Sequence, residues 1–83
     1  MNNERRKQLR GLMADIESIQ EQLETLQSDE QDGFDNLPEG LQDSERGEAM
    51  EEAIQAMETA CEQLDNARDA TEEALANRAE DGF

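Results

Sequence analysis

Carboxylates dominate the side chains that could do chemistry in this chain, and one stretch of them has the spacing of a metal loop. In "SDEQDGFDNLPEG", Ser28 to Gly40, Gly33 can take the sixth position of an EF-hand loop. Glu30, Asp32, Asn36 and Glu39 then fall on positions three, five, nine and twelve. Oxygen donors at such intervals are what a hard cation such as calcium needs. The pattern departs from a working loop in three places, however. Ser28 stands where the first Asp belongs, Asp35 where an aliphatic residue belongs, and Pro38 beside the closing Glu, where a helix should leave. The same residues are good turn formers, so the stretch reads as a bend between helices, without a metal or other cofactor.

Nothing else in the chain assembles into catalytic chemistry. There is no His, no nucleophile–base pair and no Gly-rich phosphate loop. Carboxylates are plentiful, but none is marked as a buried pair with split pKa values. A di-iron Glu-x-x-His bundle is impossible without His. The expectation is a protein that is not an enzyme. Cys61, the single cysteine, falls at an apolar heptad position and reads as a small buried hydrophobe.

The distinctive acidic residues lie further on. Glu51, Glu58, Asp65 and Glu72 recur every seven residues, and Glu62 and Asp69 fill the gaps between them. On a helix, neighbours three or four apart lie about 5–6 Å from each other. Such a row is either a solvated face that confers solubility or a rigid line of anions. A DNA strand carries a phosphate about every 3.4 Å, so the row is a sparse imitation of one, suited to a basic groove on another protein.

Two long helices must position these residues. The chain has 83 residues, 7 Lys+Arg against 23 Asp+Glu, a net charge of −16 and 34 % hydrophobic content. That composition also suits disorder, so the fold has to be argued from periodicity. Residues 4–32 read as one helix. Leu9, Leu12, Ile16, Ile19, Leu23 and Leu26 alternate steps of three and four, which predicts a coiled-coil seam. Asn3 suits the N-cap, and Gly33 in Asp32-Gly33-Phe34 suits a left-handed stop. A second helix is expected over about 45–80, capped by Asp43 or Ser44. Its seam is Met50, Ile54, Met57, Cys61, Leu64, Arg68, Thr71 and Leu75, flanked by Ala53, Ala60, Ala67 and Ala74. Arg68 either forms a polar layer or lies past the end of the first helix. The closing Asp81-Gly82-Phe83 repeats the first stop.

Between the helices, residues 33–44 form the bend. Asn36 with Glu39 resembles a capping box, Pro38 fits an early helical position, and a single turn is expected over 37–42. That turn could fold Phe34, Leu37 and Leu41 over the hairpin's end. The predicted fold is therefore all-α: one domain over 1–83, a two-helix antiparallel coiled-coil hairpin. A lone hairpin buries little, and the Ala flank widens the apolar surface. Both point to a homodimer completing a four-helix bundle, with a hairpin docked on a partner as the alternative. Arg5, Arg6, Lys7 and Arg10 oppose the first helix's dipole. The hairpin would set them near Asp69, Glu72 and Glu73.

The segment "FDNLPEGLQDSERGEAMEEA", Phe34 to Ala53, resembles the central part of small, acidic, helical-hairpin proteins of unknown function from Gram-positive bacteria and their phages. The resemblance implies a phage or mobile-element origin and residence in the host cytoplasm, and it implies no activity. A single cysteine also fits a reducing interior. No signal peptide or membrane-spanning run is read. Bare nucleic acid and anionic membranes would repel the chain. A host protein with a basic surface is the expected partner, met through Glu51, Glu58, Glu62, Asp65, Asp69 and Glu72. One form of that expectation is inhibition of a nucleic-acid-binding or defence protein by charge mimicry. The other functional class is an assembly component whose helices pair with copies of themselves or with another helical protein.

Overall fold

The computed structural model describes residues 1–76 and is all-α. Helix α1 spans Asn3–Asp35, α2 spans Glu39–Gln42 and α3 spans Glu45–Ala76. Among the described residues there is no strand. The long helices α1 and α3 run antiparallel. Gly33 lies beside Met50, Gln20 bonds to Cys61 and Asp65, and Arg6 bonds to Leu75.

Both helices begin as their sequences direct, one residue apart from expectation at α1. Asn2, not Asn3, is the N-cap of α1, and its side chain accepts the Arg5 amide hydrogen at 2.8 Å. At α3 the Ser44 hydroxyl accepts the Gly47 amide at 3.4 Å, while the Ser44 carbonyl accepts that of Glu48 at 2.9 Å. Ser44 is thus the cap. Glu45 and Glu48 sit in the first turn of α3, where the helix dipole favours negative charge.

The stop at Gly33 does not occur. α1 runs through it to Asp35, no glycine among the described residues has a positive φ, and Asn36 closes the helix with φ −88° and ψ −3°. Gly33 serves packing instead. A Cβ there would lie 3.1 Å from the Met50 side chain, so glycine allows α3 to approach the end of α1. The capping box is also absent. α2 begins after Pro38 without a side-chain cap, and Asn36 belongs to the end of α1. Gly47 is the position where glycine is most needed. It is buried, and a Cβ would overlap the main chain of Leu41 and Gln42. Phe34 and Leu37 are half-buried at the bend, but Leu41 is 45 % exposed and does not close it. The Asp81-Gly82-Phe83 stop and the end of the second helix beyond Ala76 lie outside the described residues.

The seam of α3 is formed by the residues its heptads select. Ile54 is buried, and Met50, Met57, Cys61, Leu64, Arg68, Thr71 and Leu75 are half-buried. On α1 the seam differs from the predicted one. Leu9, Ile16 and Leu23 face α3, but their companions are Arg6, Met13, Gln20 and Gln27. Leu12, Ile19 and Leu26 lie outside, 54 %, 47 % and 57 % exposed. The buried rows therefore step four then three from Leu9, not three then four. Apolarity alone selects the wrong row, because two of the polar residues inside, Gln20 and Arg6, have partners. Gln20 is 8 % exposed and satisfied by two acceptors, and Arg6 is 6 % exposed and donates to the Leu75 carbonyl. Ile54, at 9 %, is the only buried large hydrophobic among the described residues, so the hairpin core is thin.

Candidate functional site

The register divides the hairpin into two sides. In an antiparallel pair, residues just past one seam row on α1 face the matching residues on α3. On one side this brings Glu17 and Glu24 of α1 against Glu51, Glu58, Asp65 and Glu72 of α3. Contacts across the seam fix that assignment. Arg68 reaches Glu17 at 3.7 Å and Asp65 at 3.6 Å. Glu24 and Asp65 both act on Cys61, and one groove is lined by Gln31, Phe34, Glu51, Gln55 and Glu58. Glu62 and Asp69 stand one step further round α3.

All six residues of the expected row, Glu51, Glu58, Glu62, Asp65, Asp69 and Glu72, are exposed. They share a helix face, but they are not equivalent. Asp65 accepts from the Gln20 amide at 2.7 Å and pairs with Arg68, so its charge is partly engaged within the fold. Gln20 also donates to the Cys61 carbonyl at 3.2 Å. Glu17, Gln20, Asp65 and Arg68 together form a polar layer across the middle of the hairpin. This decides between the two readings of Arg68: it lies opposite α1, within a layer of the kind that fixes register. Sequence reasoning missed Glu17 and Glu24 as members of the acidic side. Their seven-residue spacing was visible, but their side of α1 depended on which seam row turned inward.

Cys61 has a shifted titration. Desolvation raises its thiol pKa first, and the negative charges of Glu24 and Asp65 raise it further. Each effect disfavours the thiolate, so this is a poor nucleophile. At the other end, the Arg6–Leu75 contact sets the basic start of α1 beside the part of α3 that carries Asp69, Glu72 and Glu73. Arg6 turns into the seam and binds a main-chain carbonyl, while Arg5, Lys7, Arg10, Asp69, Glu72 and Glu73 stay exposed.

The residues of the calcium-like stretch do not converge. Ser28 to Asp35 belong to α1, and a helical backbone radiates Glu30 and Asp32 away from each other rather than curling them round an ion. Among the described residues no group of three or more His, Cys, Asp or Glu side chains could hold a metal. No described helix is long and apolar enough to cross a membrane. No family model, curated protein or solved structure matches the chain.

Proposed function

We propose that this is a non-enzymatic interaction protein whose acidic side occupies a basic groove on a host protein, as the phosphates of a nucleic acid would. The sharper form is inhibition of a nucleic-acid-binding or defence protein by charge mimicry. The observation that carries the reading is the concentration of carboxylates from both helices on one rigid side. Glu17 and Glu24 widen the row on α3 into a two-helix band, in which Arg68 is already engaged. A partner would use Glu51, Glu58, Glu62 and Glu72 most directly, with Asp69 at the margin and Asp65 shared with the fold. Phage or mobile-element origin and action in the host cytoplasm belong to the same reading and rest on the resemblance over Phe34–Ala53.

The test is affinity capture from a Gram-positive host lysate, with the native chain and with Glu58, Glu62 and Glu72 reversed to Lys. Charge-led binding weakens steeply with ionic strength. The expected result is a nucleic-acid-handling protein held at low salt, released at high salt or by heparin, and lost with the reversed chain. Undiminished capture by the reversed chain would reject the reading.

The second reading, an assembly component that pairs through its helices, draws support from a different observation. Leu12, Ile19 and Leu26 are an apolar row left outside the seam.

A further inference from the structure

The side of the hairpin opposite the carboxylates has the contrary character. Leu12, Ile19 and Leu26 line it on α1, spaced by seven and each about half exposed. On α3 the matching positions are Ala53, Ala60, Ala67 and Ala74. The register sets the large residues in the intervals between the small ones: Leu26 is level with the gap from Ala53 to Ala60, Ile19 with that from Ala60 to Ala67. One step further round α3 come Ala49, Ala56, Gln63 and Ala70, again without charge. In a chain where 36 % of residues are charged, this side carries none between Ala49 and Ala74 on α3, and Asp15 and Asp29 only edge it on α1.

We infer that this uncharged side is a self-association face, on which a second copy of the chain sits about a two-fold axis to complete a four-helix bundle. Three arguments choose a second copy over another occupant. The first is shape. A row of large residues beside a row of small ones is self-complementary: under a two-fold operation each copy's Leu and Ile side chains enter the other's Ala row. The second is charge. At a net −16 per chain, any other side would press carboxylates together, whereas this one brings two copies into contact where neither carries charge. The third is area. Ala49 to Ala74 covers about 38 Å of helix at 1.5 Å per residue. Two helices about 10 Å wide then give a footprint near 800 Å² per partner, the size of a standard stable interface.

This locates the dimer within the proposed reading, but its test reads chain mass and not partner binding, so either can fail alone. Sedimentation equilibrium of the full chain should give twice the 9.4 kDa of one chain. Melting temperature should rise with protein concentration, as it does for any folded state stabilised by association. Ile19→Glu and Ala60→Glu should each leave a helical species of single-chain mass. Ile19 is already half exposed, so its replacement removes little from the hairpin's own core. Glu58→Lys should leave the mass at two chains. A single-chain mass with a concentration-independent melt would overturn the inference and assign the face to another protein. So would a dimer that survives Ile19→Glu and Ala60→Glu.

Discussion

The two sides of this hairpin are built from the same pair of helices and the same seven-residue repeat, yet they differ in almost every physical respect. One carries Glu17, Glu24, Glu51, Glu58, Asp65 and Glu72, extended by Glu62 and Asp69. The other carries Leu12, Ile19 and Leu26 against an alanine row, with no charge at its centre. The difference teaches how one seven-residue repeat can set charge and apolar surface on separate sides of a short acidic chain with a thin core. Carboxylates of both helices face each other on one side, where a basic groove would relieve their repulsion, while apolar residues that the hairpin cannot bury collect on the other.

The comparison is most easily broken on the uncharged side. Ile19→Glu combined with Leu26→Glu should weaken association by about a hundredfold or more, because a buried carboxylate without a partner is costly. Sedimentation equilibrium measures this, and equal association by wild type and variant would remove the distinction between the sides. Next in size is Gly47→Ala, which affects both sides through the bend they share. Overlap with the main chain of Gln42 should cost about 1–3 kcal/mol in chemical denaturation, and no loss would mean that the bend repacks freely.

Within the acidic side a finer contrast is expected. Asp65→Ala removes the partner of Gln20 and Arg68 and should cost about 1 kcal/mol. Glu58→Ala has no such partner to lose and should change stability by less than about 0.5 kcal/mol. Equal costs in denaturant titrations would put the polar layer in doubt. Salt should separate the sides by sign. Moderate salt should raise the melting temperature by screening the net −16, while loosening any charge-led complex with a partner.

The smallest effect concerns Cys61. Its thiol pKa is raised by desolvation and by Glu24 and Asp65. For an acid whose folded pKa lies above its unfolded one, the stabilising contribution is complete below the unfolded value and is lost as pH rises through the folded value. Stability should therefore decline slightly at alkaline pH, and alkylation at neutral pH should be slower than for an unfolded control. Faster alkylation in the folded chain would contradict the placement of those carboxylates.

The helices themselves are legible from their heptad patterns, and the seam of α3 appears as read from Met50 to Leu75, with Arg68 as a polar interruption. The seam of α1 does not. Leu9, Ile16 and Leu23 belong to either of two rows, and the choice between the Leu12 and Met13 companions turns on partners that lie on α3. Gln20 is an unpromising seam residue until Asp65 and the Cys61 carbonyl are seen beside it. The same ambiguity hides the uncharged side, since the alternative row places Leu12, Ile19 and Leu26 in the interior. Gly33 misled for a related reason: its lack of a side chain suited a helix stop, but the structure uses it for clearance from Met50. The acidic row was legible from spacing alone. Its extension to Glu17 and Glu24, and the engagement of Asp65, needed the register.

The proposed division of the hairpin into a self-associating side and a free acidic side is tested most directly by following side-chain resonances as the protein is diluted through the expected association midpoint. The methyl groups of Leu12, Ile19, Leu26, Ala60 and Ala67 should shift, while the side chains of Glu58, Glu62 and Glu72 stay unchanged. Shifts concentrated on the glutamates, or none anywhere over the full range of dilution, would contradict the account.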